Sequence, residues 1–379
     1  MTPEIHGFCE PRFQSLADAF RANFEDGLEV GASLALTWRG KPAVDLWAGH
    51  ADRAGTRAWE RDTIMQVFSV SKIMLLMCVL RLVDWDKLEL DAPIAAYWPA
   101  FGQNGKDRVT VRDLVTHRTG VPGFRPQVSF EDLHDWKVVT DNIAAQAPWF
   151  EDPRQLCYAP VTFGYMVGEL VRRVDGRPVQ RFFRDEFARK AKADFQLGLT
   201  KRADCARVAE MVFVQAQSPG PGDIGLHSEI SSDTTAGDWE SWERRSAEIP
   251  SSNAYGNGRS VARLCAILAM RGRLGLRRYL SREAIEAAGR EQAAGEDSYI
   301  GFIRYGLVLG LDNEAFPAPS PTAMHWGGVG GSWGVIDSHA RLSVGYVPNQ
   351  LVMGVMPLLD TRLARFNAAL TALIPALPK

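Results

Sequence analysis

The sequence predicts an α+β fold: an antiparallel sheet built from both chain ends and flanked by helices, with a mostly helical region inserted in the middle. Three observations carry this reading. VGASLALTWRGKPAVDLWAG (30–49) alternates aromatic and branched residues on either side of an Arg39-Gly40 turn, the pattern of two paired strands. Near the C-terminus, SWGVID, RLSVGYVPN and LVMGVMP are three more strand-like pieces joined by short polar turns. From about 120 to 250 such alternation is scarce, and proline, tryptophan and glycine are frequent.

The elements follow in chain order. Residues 13–25 (FQSLADAFRANFE) have helical periodicity and precede the two strands. Helix signals resume over 68–83, and VTVRDLVTH (109–117) reads as a short helix after an extended lead-in. Amphipathic pieces at 162–175 and 177–190 populate the middle, with long loops such as SPGPGDIGLH (218–227) between helical pieces. SVARLCAILAM (260–270) is a helix with Ser260 as its N-cap. A loop-rich passage leads to the C-terminal strands, and a last helix runs over about 360–374. On this division residues 1–115 and 251–379 form the α/β part and 116–250 the helical part, with the active site expected between them.

Bulk composition narrows the function classes. A chain of 379 residues with 46% hydrophobic and 23% charged residues is long enough for a large buried core. Its net charge of −2 offers no basic surface for nucleic acid. Clusters such as RGRLGLRR (271–278) read as solvated turns. The five cysteines are scattered, form no CxxC pair and suggest no disulfide framework. No apolar N-terminal stretch has basic flanks, and the longest hydrophobic run, IMLLMCVLRLV (73–83), is short for a bilayer and contains Arg81. The expectation is a cytoplasmic protein without a membrane or nucleic-acid partner. The histidines show no HxH or HExxH grouping, so no metal or other cofactor is expected.

The stretch that carries chemistry is QVFSVSKIM (66–74). Ser69 and Lys72 lie at i and i+3, where helical side chains meet, inside an otherwise mostly apolar run. A serine hydroxyl is a weak nucleophile until a base takes its proton. A lysine serves as that base only when desolvation or a nearby cation lowers its pKa. Val67, Phe68, Val70, Ile73, Met74, Leu75 and Leu76 supply an apolar environment. Ser71 adjoins Lys72 and points to another face, and no GxSxG elbow surrounds Ser69.

FSVSKIM resembles the nucleophile motif of the serine beta-lactamase and penicillin-binding protein superfamily, in a form closest to the family VIII carboxylesterases. The preceding hairpin and VTVRDLVTHRTGVPGF (109–124) match as well. The resemblance implies a beta-lactamase/transpeptidase-like fold, with Ser69 as the acylated nucleophile and Lys72 as its base. In LCYAPVTFGYMVGELVRRVDG (156–176) it puts Tyr158 in the role of the family's catalytic tyrosine, as a phenolate or as a partner sharing a proton with Lys72. Tyr165 reads as core. The family's asparagine is replaced by Pro160, which counts against recognition of a lactam.

In MHWGGVGGSWGVID (324–337) the third motif falls on Trp326-Gly327-Gly328, so the lactamase cation is absent from the matched position. His325 would face the opposite way and is read as structural, as is His117. The implied oxyanion hole is the backbone amides of Ser69 and Val329. Trp149, Phe150, Phe163, Trp326 and Trp333, with Gly327 and Gly328, are candidates to line a substrate pocket, core packing being the alternative for the aromatic residues. The implied activity is hydrolysis of small short-chain or aromatic carboxylic esters. Beta-lactamase, amide hydrolase or D-aminopeptidase, transacylase and non-catalytic scaffold are the alternatives.

Overall fold

The computed structural model describes every residue except 1, 153, 216–225, 227–228, 231–237, 354–359 and 379. Its centre is a nine-stranded antiparallel sheet. The N-terminal end supplies β1 (Ile5–Cys9), β2 (Gly31–Trp38) and β3 (Lys41–Gly49). The C-terminal end supplies β4 (Ala293–Asp297), β5 (Gly301–Tyr305), β6 (Gly310–Leu311), β7 (Ala323–Gly327), β8 (Trp333–Asp337) and β9 (Leu342–Pro348). The order across the sheet is β1-β3-β2-β9-β8-β7-β6-β5-β4, and the two chain ends join where β2 runs antiparallel to β9.

Local chemistry explains the hairpin. Arg39 and Gly40 both have positive φ, 53° and 74°, as a two-residue type I′ turn requires. The five longest helices are α1 (Gln14–Glu25), α2 (Ser71–Asp84), α3 (Thr162–Asp175), α4 (Gly258–Ala269) and α5 (Thr361–Leu373). Helix α4 covers one sheet face at close range. A Cβ on Gly258 would meet the Ser33 and Gly345 carbonyl oxygens at 2.7 and 2.8 Å, so helix and sheet touch backbone to backbone. The other face packs on the terminal helices, with Tyr346 of β9 edge-on to Phe366 of α5 at 4.8 Å. Helix α2 is buried along nearly its whole length, which explains its mostly apolar sequence, and α3 lies against it.

Four sequence expectations need correction. The passage read as loop-rich holds β4, β5 and β6, and β1 also escaped notice. The N-cap of α4 is Asn257, whose side chain accepts from the Ser260 amide and hydroxyl; Ser260 is the capped residue. LVMGVMP does not extend the main sheet: Gln350–Met353 pairs in parallel with Val212–Gln215, and 354–357 fall outside the described residues. The loop SPGPGDIGLH also lies outside them, apart from Leu226. No helix among the described residues is long and apolar enough to cross a membrane.

At the start of α5, Arg362 is 1% exposed and uses all three nitrogens. It bonds to Asp360 (Nε to Oδ1 3.0 Å), to the Gln350 and Gly330 carbonyls (2.7 Å each), and to Glu29 (3.4 Å). Tyr346 donates to Glu29. Burial pushes the Glu29 carboxyl up to about 7, outweighing the attraction of Arg362 and the hydrogen bond from Tyr346. The folded state therefore holds this proton more tightly than the unfolded chain. Its stabilising effect is complete below the ordinary glutamate range and is lost as pH rises through about 7. Between pH 5 and 8, Glu29→Gln should show a shallower fall in thermal-unfolding midpoint than the parent; parallel curves would contradict the assignment.

Candidate active site

Ser69 sits in a 3-10 turn, Phe68–Val70, that leads directly into α2, and Lys72 is the second residue of that helix. Phe68 has φ +46°, a left-handed conformation that costs a non-glycine residue about 1–2 kcal/mol. The turn after β7 is seated against this bend. A Cβ on Gly328 would lie 2.3 Å from the Val67 carbonyl oxygen, so only glycine allows that approach. Ser332 Oγ donates to the same carbonyl at 2.7 Å. Val329, next along this turn, is 45% exposed.

Lys72 is fully buried. Its Nζ lies 3.0 Å from Ser69 Oγ, 2.7 Å from the Pro160 carbonyl oxygen and 3.2 Å from that of Ser251. All three partners are neutral, and the Tyr158 and Phe163 rings lie 4.8 and 5.8 Å from Nζ. With burial opposed by no carboxylate, the amine is held well below the usual lysine range. Pro160 lacks the side-chain amide of the resembled motif, and its main-chain carbonyl holds Lys72.

Tyr158 completes the cluster, its hydroxyl 2.7 Å from Ser69 Oγ. Its loop is fixed from two sides. His117 accepts from the Ala159 amide through Nδ1 (3.3 Å) and from the Cys157 amide through its carbonyl (3.1 Å), and its ring lies edge-on to Tyr158 at 4.9 Å. Asp297, at the end of β4, accepts from the Tyr158 amide at 3.0 Å and from the Tyr299 and Ile300 amides. Burial raises the Tyr158 phenol above its ordinary range, so the phenolate is the disfavoured form. Burial lowers the His117 pKa well below its ordinary range, which favours the neutral ring. The resting arrangement is a neutral amine and a neutral phenol on one hydroxyl.

The aromatic candidates separate. Trp326 closes over the site, 5.4 Å ring to ring from Tyr158, and its indole N–H approaches the phenol without completing a hydrogen bond. Trp333 is a correction: it is fully buried and lies opposite Tyr346, on the sheet face covered by α5, away from α2. His325 is buried too and accepts from the Trp333 indole at 3.3 Å. Phe163 is also fully buried and packs beneath Lys72 and His117, where it desolvates the amine and leaves no surface for a substrate. Trp149 is half-buried on the loop after the helix Trp136–Ala145, its amide donating to the Gly120 carbonyl and its ring 3.8 Å from the Arg125 guanidinium, and Phe150 beside it is half-buried. Asp297 and Ser251 were missed; neither stands at a spacing that marks it.

Comparisons with known proteins show the family. The beta-lactamase family model matches residues 20–368. The esterase/beta-lactamase LipL of Mycobacterium tuberculosis is 30% identical over 92% of this chain and 83% of its own length. The crystal structure of a family VIII carboxylesterase is similar with a TM-score of 0.89 and 35% identity, covering 98% of this chain and 100% of that one. A penicillin-binding protein homologue from Caulobacter crescentus has the same TM-score and coverage at 32% identity.

Ser69 should react with a fluorophosphonate probe, followed by intact mass. Lys72→Ala and Tyr158→Phe should each slow labelling about 10²–10⁴-fold, the range for loss of a positioned proton-transfer group. Asp297→Ala should slow it about 10- to 100-fold through misplacement of Tyr158, while Asp297→Asn, which keeps an acceptor oxygen, should stay within about threefold. Equal effects from the two Asp297 variants would remove its positioning role.

Proposed function

The chain belongs to the beta-lactamase family, and we propose that within it this protein is a serine carboxylesterase acting through an acyl-Ser69 intermediate. The observation that carries the reading is the Ser69 hydroxyl held between a buried Lys72 amine at 3.0 Å and the Tyr158 phenol at 2.7 Å, with neutral groups as the amine's partners.

Lys72 takes the Ser69 proton as Oγ bonds to the ester carbonyl carbon. The developing oxyanion is received by the amides of Ser69 and Val329, the latter on the turn seated against Val67. Collapse breaks the carbon–oxygen bond to the alcohol, and the proton held on Lys72 reaches the leaving oxygen through Tyr158. Water then attacks the acyl carbon, gives its proton to the same pair and releases the acid, restoring the Ser69 hydroxyl. Trp326 and the Gly327–Gly328 backbone are the proposed substrate wall, with Trp149 further out. Trp326 at the matched third-motif position, with His325 turned to the other face, favours esters over lactams bearing a carboxylate. A relative named esterase/beta-lactamase supports slow hydrolysis of an activated lactam as a second activity.

With p-nitrophenyl butyrate the protein should release p-nitrophenol and show a transient butyryl adduct in its intact mass, and Ser69→Ala should show neither. Turnover should fall as pH drops through the lowered Lys72 pKa, because protonation removes the base. Turnover that survives Ser69→Ala would contradict the mechanism.

A further inference from the structure

Arg244 lies in the short helix Trp242–Ser246 and, like Arg362, is 1% exposed. Arg362 satisfies its guanidinium with carboxylates and carbonyls. Arg244 does not: among the described residues no ion pair reaches it, and its Nε and Nη1 are buried without a hydrogen-bond acceptor. Its guanidinium instead stands over the rings of Trp239 (4.4 Å) and Phe130 (5.0 Å). The titratable groups around it are Tyr165, Tyr255 and His134. Tyr165 donates to the Leu133 carbonyl and Tyr255 to Gln66 or Asn253, while Glu248 is engaged by Arg172. Aromatic faces offset part of the cost of burying the charge, yet they leave the Nε and Nη1 donors unpaired. A buried guanidinium without a counter-charge among the described residues is matched to one that arrives from outside.

Its position relates it to Ser69. Trp239 also packs 5.9 Å from Phe68, the residue before the nucleophile. The chain after Arg244 runs on to Ser251, whose carbonyl holds Lys72. A leaving alcohol has to stand near Tyr158 to receive its proton, and an acyl chain directed the other way from Ser69 would run toward Phe68, whose ring packs against Trp239.

Resting on the esterase reading, we propose that Arg244 binds an anionic group at the far end of the acyl chain, which makes half-esters of short dicarboxylic acids the preferred substrate class. The test compares kcat/KM for mono-p-nitrophenyl glutarate with that for its neutral methyl ester at low salt. The wild-type protein should favour the anion at least tenfold. Added salt should erode that preference, and Arg244→Met should lower the ratio at least tenfold, mainly through KM. Arg244→Lys should restore part of it. A wild-type ratio of one or below, or an equal loss on both esters in Arg244→Met, overturns the inference. The wild-type ratio and its salt dependence decide the matter if the variant does not fold. Turnover of the neutral ester alone leaves the esterase reading standing, whereas no acylation by either ester overturns both.

Discussion

One interaction organises the site: a lysine amine taken out of water and held by three neutral oxygens, Ser69 Oγ and the carbonyls of Pro160 and Ser251. An ammonium in that setting has lost its hydration and has no carboxylate to replace it, so the neutral form is favoured. The surroundings follow from this requirement. Helix α2 is mostly apolar, as its burial in the core requires. The 157–160 loop and the Ser251 segment have to converge on one nitrogen, which explains why His117 and Asp297 spend buried polar groups on fixing backbone amides around Tyr158. The same burial that lowers the amine raises the phenol, which suits Lys72 to the base and Tyr158 to the proton relay of the proposed cycle.

The site is tied to the far side of the sheet through one turn. Gly328 presses on Val67, two residues before Ser69, while the carbonyl of Gly330 is held by Arg362. Val329 lies between these two anchors. The position of its amide therefore depends both on the strained bend at Phe68 and on the buried ion cluster of Glu29, Asp360 and Arg362.

Much of this was legible in the residues. The i, i+3 spacing of Ser69 and Lys72 in an apolar run identified a pair that the structure brings within hydrogen-bond distance, and period-two alternation marked β2, β3, β8 and β9. Strands β4 to β6 were hidden because sequences such as AAGED carry glycine and charge, which an edge tolerates when little of it is buried. Trp333 was misplaced because its face depends on the register of the β7–β8 hairpin, in which Gly327 pairs with Trp333. Asp297 and Ser251 lie 139 and 179 residues from the groups they hold, and no local spacing announces contacts of that range.

The central claim is that Lys72 rests as a neutral amine. Its most direct test is carbon NMR of protein labelled at lysine Cε, with the Lys72 signal assigned by its loss in Lys72→Met and followed from pH 6 to 11. The account predicts a neutral-amine shift at pH 7, with any titration well below the ordinary lysine range. An ammonium shift that persists until about pH 10, the value of an unperturbed lysine, would contradict it.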